Sequence, residues 1–559
     1  MDLSAMLDRA MRHHQSGDLR QAEALYLAIL EQDPAQADAL HLLGLIAHRS
    51  GEPEKAIELI GQAIRRRPTA VAFHSNLGEV LRASGQLHAA VRKFEAALAI
   101  DPNFADAHGN LGATLQTLGQ SAQAIGYLRT AVRLNPDFFE AYMNLGNALK
   151  DEGRFAEAAA SLQQAVRVNP SAVEAHVNLG TVLKRLGQGQ EARAHYQEAI
   201  RIRPDLLSAH MSLAILLEEE NLLLEARDSF HRAFQIRHGG QLWNAPSFNE
   251  VRLERAQPIT EPIQTTRFEL INMIEHIEYL IDKGKIDRSF AQMADQYRSV
   301  LQEVDPAIAQ TELVTLTTEQ ATRIVDFHHQ VIRYTDAPRV SACAVNEKLN
   351  FKDIERTYLS SSIAVVYFDN FLNSEALRQL RDFCLGSTIF FRRARAGVLQ
   401  SYVGFGFDCS LLFQIVEELK QHFPQVLGNQ VLSNMWIYRY PSEGEGVKAH
   451  TDNGSVTFNF WITPDDANLE PKRSGLVVYT KEQPLDWDWG RFNRDKDDPR
   501  VQREIGDFLA SAKSVTIPYR ENRAVLFHSN LFHRSDSFRF KDGYENRRMN
   551  ITLLFGDRG

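Results

Sequence analysis

The stretch AFHSNLGEVLRASGQLHAAVRKFEAALAIDPNF, residues 72–104, holds two apolar-periodic segments of helical length, separated by Gly85 and closed by Pro102. Glycine accepts the left-handed turn that ends a first helix, and proline stops a second. The same punctuation recurs along the chain. Prolines fall at 34, 68, 102, 136, 170 and 204, a constant step of 34 residues. Gly17, Gly51, Gly85, Gly119, Gly153 and Gly187 keep that step and are followed in register by Asn221. Ala22, Ala56, Ala90, Ala124, Ala158, Ala192 and Ala226 form an unbroken small-residue column. Seven helical hairpins therefore fill residues 2 to about 236. One hairpin cannot bury its own apolar face, so the units are expected to stack into an α-solenoid with a concave surface.

This pattern resembles the tetratricopeptide repeats. A further column, Asn76, Asn110, Asn144 and Asn178, is flanked by Leu42 and Ser212 in the neighbouring units. It is similar to the repeats of O-GlcNAc transferase, where asparagines at the matching place line the groove and grip a peptide backbone. The resemblance implies a protein or peptide partner held by these four amides, each a donor and an acceptor. Repeats stacked ~10 Å apart would meet roughly every third residue of an extended chain. The other reading is that each asparagine satisfies a backbone group between repeats.

Bulk composition bounds the rest. A chain of 559 residues is too long for one core, and 44% hydrophobic with 24% charged residues reads as soluble and globular. A formal net charge of -9 gives no reason to expect nucleic-acid or membrane-surface binding. Cys343, Cys384 and Cys409 are scattered, which argues against a disulfide framework or a thiolate metal site. MDLSAMLDRAMRHH has no uninterrupted apolar core, so no signal peptide is expected and the cytoplasm is the expected compartment. The oligomeric state stays open.

Past the array the period is lost, and residues 237–359 read as a linker followed by a helical bridge. RFELINMIEHIEYLIDKG places Leu270, Ile274, Ile277 and Ile281 on one face, ended by Gly284. A second helix is expected over roughly 287–304, and a third from Thr317, with Gln320 at capping-box spacing. His328 and His329 are expected within that third helix, on different sides and not as ligands.

From about 360 the runs SIAVVYF, NMWIYRY, SVTFNFWIT, SGLVVYT, SVTIPY, NRAVLF and RMNITLLF predict a β-sandwich or jelly roll over 360–559. In SVTFNFWIT, alternation puts Val456, Phe458, Phe460 and Ile462 on one side and Thr457, Asn459 and Trp461 on the other. YPSEGEGVKAHTDNG, residues 440–454, places His450 and Asp452 just after a glycine-bearing loop. His533 supplies a second imidazole, and Arg548 opens the last strand with Asn550 on its face. Two imidazoles and one carboxylate make a facial triad suited to non-haem Fe(II).

Here the segment resembles the Fe(II)/2-oxoglutarate dioxygenases of the prolyl 4-hydroxylase-like branch. The resemblance implies a double-stranded β-helix, with His450, Asp452 and His533 on the metal. It also implies Arg548 on the distal carboxylate of 2-oxoglutarate, assisted by Tyr440, with Asn459, Trp461 and Asn550 beside that cosubstrate. O₂ would be the second cosubstrate and hydroxylation the outcome, because related halogenases lack the carboxylate that Asp452 supplies. The fifteen-residue step from His533 to Arg548 is longer than in the prolyl hydroxylases. His528 is a second candidate ligand, but it directly follows an apolar strand. The triad also suits Zn²⁺, though zinc hydrolysis leaves Arg548 and Tyr440 without a role. Residues 389–407 suggest a flap or a solvated hairpin, and residues 482–508 a charged surface insertion. Three functions follow: a protein or peptide hydroxylase fed by the repeats, a scaffold with an inactive oxygenase fold, or a small-molecule oxygenase.

Overall fold

The structure, a computed structural model, describes residues 2–239, 242–251, 262–394, 397–484, 487 and 498–556. It divides into two compact units, Met1–Pro204 and Asp205–Gly559.

The first unit is a helical solenoid of six hairpins, α1 (Leu3–Gln15) to α12 (Gly189–Ile202). The repeating residues explain it. The six column glycines all have positive φ, between 71° and 81°, which only glycine adopts without strain. The six column alanines of this unit are fully buried. A second glycine column lies inside the first helices: a Cβ on Gly78 would sit 2.6 Å from the Phe94 ring, and Gly44, Gly112, Gly146 and Gly180 are as tightly faced. α3 (Ala37–Arg49), α5 (Val71–Ala83), α7 (Ala105–Thr117), α9 (Phe139–Asp151) and α11 (Val173–Arg185) also pack on one another in turn. The side of a curved stack on which successive helices approach each other is its concave side, so these first helices line it.

The second unit begins with a seventh hairpin, α13 (Leu207–Glu219) and α14 (Leu223–His238), in which Asn221 takes the glycine conformation at φ 59°. Arg227 on α14 anchors the pair to the rest of the unit, binding Asp336 at 2.8 Å and the Asp408 carbonyl at 3.2 Å. The bridge follows as α15 (Arg267–Asp282), α16 (Ala291–Glu303) and α17 (Thr318–Ile324). α17 carries the complete Thr317–Gln320 capping box. It stops at Ile324, short of the two histidines expected on it. His329 lies in the left-handed region at φ 63°, and the two rings stack at 3.9 Å instead of pointing apart.

Fourteen strands are described: β1 (Gln264–Thr266), β2 (Leu313–Thr315), β3 (Val365–Phe368), β4 (Arg392–Arg393), β5 (Leu399–Tyr402), β6 (Leu432–Arg439), β7 (Glu443–Gly444), β8 (Val456–Trp461), β9 (Leu476–Glu482), β10 (Ser514–Ile517), β11 (Ala524–His528), β12 (Leu531–Ser535), β13 (Phe538–Arg539) and β14 (Met549–Phe555). All seven apolar runs named above are strands. β3-β11-β8-β14-β6-β5-β4 form an antiparallel sheet of seven, and β10-β9-β12 a second sheet of three. One buried cluster mixes Tyr440, Trp461, Val525 and Phe527 with Leu476, Val478 and Ile517, so the two sheets share a core. The other face of the large sheet is aromatic: Phe458 and Phe460 meet Phe371 at 5.0 and 5.2 Å, and Phe423 closes on Phe458.

A further helix, α18 (Phe351–Ser360), ends the bridge region, and α19 (Ser374–Gly386), α20 (Ser410–His422) and α21 (Pro499–Leu509) lie between the strands. The described part of the 389–407 segment is largely buried, not a solvated hairpin. Its β4 and β5 form the edge of the large sheet, and Val398–Ser401 are buried. Arg395 and Ala396 lie outside the described residues. So do most of residues 485–497 in the charged stretch, but its end is α21, whose Val501, Ile505 and Leu509 are buried at helical spacing.

Candidate active site

Cross-strand register gathers the residues singled out near the C-terminus. Residues directly opposite in antiparallel strands point to the same face. Asn550 lies opposite both Trp461 and Tyr438, Thr552 opposite Asn459, and the Tyr440 amide donates to the Arg548 carbonyl at 3.1 Å. Arg548, Asn550, Tyr440, Asn459 and Trp461 therefore share the face turned toward the small sheet. Thr457 is on it as well and reaches the loop that bears the histidine and aspartate.

That loop is held from both sides. The His450 amide donates to the His533 carbonyl at 3.0 Å, and the His533 amide returns the bond at 2.9 Å. The Asp452 amide donates to Ser529, and the Thr457 hydroxyl donates to Asp452 Oδ2 at 2.9 Å. Each imidazole has its Nδ1 on a backbone carbonyl: His450 on Lys448 at 2.7 Å, His533 on Leu531 at 3.1 Å. That fixes Nδ1 as the protonated nitrogen and turns both Nε2 atoms toward the aspartate. His450 Nε2 is 3.8 Å from Asp452 Oδ1, and His533 Nε2 is 3.5 Å from Oδ2. The three donors lie within 4.8 Å of one another, with Asp452 7% and His533 4% exposed. His528 is not part of this group; its side chain is a third exposed and lies 3.9 Å from Glu482.

α21 braces both histidine segments, a role that the charged composition of its neighbourhood hid. Its Val501, Ile505 and Leu509 pack on Ala449 and Phe532, the residues preceding His450 and His533. Gln502 also donates to the Ala449 carbonyl at 3.2 Å. The i, i+4, i+8 spacing after Pro499 was the available signal.

Arg548 is 1% exposed. Its Nη2 donates to the Gly475 carbonyl at 3.0 Å, while Nε and Nη1 are buried with no hydrogen-bond partner among the described residues. Its guanidinium carbon is 4.5 Å from the centre of the Tyr440 ring, and the Tyr440 hydroxyl is 3.3 Å from Ser535 Oγ. Burial lowers the guanidinium pKa from its ordinary value. Trp461 Nε1 and Asn459 Oδ1 on the same face are also buried without partners among the described residues, and Asn550 donates a long bond to Thr552 at 3.4 Å. Arg547 is different: its Nε and Nη2 bond the Glu275 carboxylate on α15 at 3.3 and 2.7 Å, and only Nη1 is left without a partner among the described residues.

A buried guanidinium with two unsatisfied N–H groups fits a bound carboxylate, and the histidine–aspartate group fits a divalent iron. Both halves of the set implied by the dioxygenase resemblance thus meet compatible residues.

The asparagine column lies on α5, α7, α9 and α11, the helices lining the concave side, and all four are half-buried. Asn76 Nδ2 is 2.9 Å from His41 Nε2, and Asn178 Nδ2 donates to Asn147 Oδ1 at 3.2 Å. Two of the four amides thus already have a side-chain neighbour.

Models of the tetratricopeptide repeat match residues 7–71, 110–151 and 146–206, and a TPR repeat model matches residues 78–119. Tetratricopeptide repeats occupy the N-terminal region. Repeats of this kind generally bind peptides or proteins. Among solved structures, MamA is 29% identical, with 29% of this chain and 94% of that one covered at a TM-score of 0.28. PilF of Pseudomonas aeruginosa is 20% identical, with 37% and 94% covered at 0.35. YrrB, described as a TPR protein with an unusual peptide-binding site, is 25% identical, with 33% and 95% covered at 0.30. No curated protein matches the chain. No described helix is long and apolar enough to cross a membrane.

Proposed function

We propose that the chain is an Fe(II)/2-oxoglutarate-dependent dioxygenase that hydroxylates a protein or peptide recruited by its tetratricopeptide repeats. In this reading the two facing sheets are the layers of a double-stranded β-helix. One observation carries it: Arg548 is a buried cation with two idle donors, on the same sheet face as the threonine that orients Asp452. A zinc hydrolase would need the triad and would have no use for that arginine.

Iron bound with 2-oxoglutarate and O₂ supplies the oxidation that puts one oxygen atom into a C–H bond and releases succinate and CO₂. His450, Asp452 and His533 would hold the metal. Thr457 keeps the aspartate turned toward it, and the paired backbone bonds between His450 and His533 fix the spacing of the imidazoles. Arg548 anchors the distal carboxylate with Tyr440 against its guanidinium face. Trp461 offers its indole N–H to the rest of the dicarboxylate, and buried Trp461 and Asn459 keep bulk water out. The concave asparagines would hold the substrate main chain without reading its sequence.

The full-length protein, supplied with Fe(II), 2-oxoglutarate and a cell lysate, is expected to form succinate and to leave peptides heavier by one oxygen. Neither product should form with His450→Ala. If wild type forms no succinate under any substrate supply, the enzyme reading fails and a repeat-based interaction scaffold takes its place.

A further inference from the structure

A second cluster of ligating side chains lies in the helical bridge. Glu269 sits in the first turn of α15, where its amide is capped by the Thr266 hydroxyl. Its carboxylate is buried, accepts from Thr265 Oγ1 at 2.9 Å, and lies 2.9 Å from His329 Nε2. Arg393 Nη1 is 3.6 Å from its other oxygen. An ion pair with His329 would account for this much.

It does not account for His328. The positive φ of His329 is an uncommon conformation for a residue with a Cβ, and it folds two consecutive imidazoles onto one another. His328 Nδ1 is 3.3 Å from the hydroxyl of the buried Tyr297, while its Nε2 is buried with no partner among the described residues. Such an orphan is destabilising unless something binds it. Ligand atoms of Glu269, His328 and His329 all lie within 4.8 Å of one another. A tetrahedral ion with bonds of ~2.0–2.1 Å needs its donors ~3.3 Å apart, so modest closure suffices. A cavity of about 320 Å³, lined by His238, Gln264, Glu269, His329, Phe391, Arg393 and Phe405, adjoins the cluster. His238 adds a second buried Nε2 without a partner among the described residues.

We propose that Glu269, His328 and His329, with His238 on the wall of the adjoining cavity, form a binding site for a divalent transition-metal ion of the zinc class. Two imidazoles and a carboxylate are a borderline donor set suited to zinc. Tyr297 orients His328 as outer-shell partners orient metal-bound histidines. Arg393 opposes the ion by charge, so the site binds more weakly than the same donors would alone. The assignment is independent of the dioxygenase reading, since it shares no residue with that site.

The test uses the full-length His450→Ala/His533→Ala protein, in which the other cluster is disabled, titrated with Co²⁺ as a visible-absorbing stand-in for zinc. One Co²⁺ per chain is expected, displaced by Zn²⁺. Affinity should fall at least ~tenfold when His328→Ala or Glu269→Gln is added, and it should rise with Arg393→Gln. Circular dichroism checks that each variant is folded. The proposal is overturned if a folded background protein binds no Co²⁺ at millimolar concentration, or if the bound ion is indifferent to both His328→Ala and Glu269→Gln.

Discussion

Replacing Arg548 with methionine separates a cosubstrate anchor from a structural arginine. The side chain is 1% exposed, and among the described residues only one of its nitrogens has a protein partner, the Gly475 carbonyl. If Nε and Nη1 each bond a carboxylate oxygen, two charge-assisted bonds of ~1.5–3 kcal/mol are lost, or about 3–6 kcal/mol together. At ~1.4 kcal/mol per decade, the 2-oxoglutarate requirement should rise by about a hundredfold to ten-thousandfold. The unliganded protein should not suffer likewise, because the substitution removes a desolvated charge and leaves one carbonyl unpaired. Its thermal midpoint should match or exceed that of wild type. Arg547→Met should behave in the opposite way. It breaks the pair with Glu275, whose side chain is 22% exposed, so stability should drop by at most about 3 kcal/mol with little change in the cosubstrate requirement. Succinate formation across a 2-oxoglutarate series, run beside thermal unfolding, reads both quantities. Equal kinetic effects from the two arginines, or a collapse of fold in Arg548→Met, would refute the anchor.

Three further outcomes are expected. His533→Ala should abolish 2-oxoglutarate turnover in a folded protein and His528→Ala should not; the reverse result, measured as succinate, would show that the wrong histidine was assigned. Replacing Asn76, Asn110, Asn144 and Asn178 together with alanine should weaken hydroxylation of a protein substrate while sparing substrate-independent 2-oxoglutarate decarboxylation. Each amide contributes ~0.5–1.5 kcal/mol, so an unaltered KM for substrate would dismiss the grip. Buried His276, between Tyr544 and Thr388 at 2.7 and 2.9 Å, is pushed by burial down to about 3 from 6.5. Below pH 6.5 the unfolded chain takes up a proton that the folded one refuses, so stability is lost as pH falls from 6.5 toward 3, at up to ~1.4 kcal/mol per pH unit. His276→Gln should flatten that slope in denaturant titrations, and parallel wild-type and variant curves would show that another group sets it.

What was legible in the sequence was whatever a local constraint forces to repeat. Gly17 and its successors recur because the hairpin turn demands a left-handed residue, and Asn221 could be placed in register because asparagine tolerates that conformation. The inner glycine column from Gly44 to Gly180 was equally periodic, but its meaning lies in what it faces, the Phe94 or Leu128 of the following helix, and no local rule names that neighbour. The strands were legible through alternation, so the shared face of Asn459 and Trp461 could be read directly. Strand β12, which carries His533, has no such signature, since its LFHRS has a polar majority and pairs with β9 through an irregular register. α21 was hidden for a different reason. Its apolar stripe is only Val501, Ile505 and Leu509 in a run of charges, and a three-residue stripe stands out only once Ala449 and Phe532 are seen beneath it.

The candidate site divides in the same way. Residue types and spacing pointed to His450, Asp452, His533 and Arg548, because metal and carboxylate chemistry restricts which side chains can serve. Spacing could not show which arginine is committed elsewhere, and that distinction decides the chemistry. Arg547 and Arg548 are adjacent and both buried, yet one meets a carboxylate from the bridge helix while the other meets a single carbonyl. The bridge therefore does more than join two parts of the chain. By supplying Glu275 to Arg547, it pairs the arginine just ahead of β14 that points away from the inner face, and leaves Arg548 available to an incoming dicarboxylate. Glu275→Gln should on this argument cost stability and leave the 2-oxoglutarate requirement unchanged. A large rise in that requirement would mean that the bridge helix also sets the strand position from which Arg548 reaches its ligand.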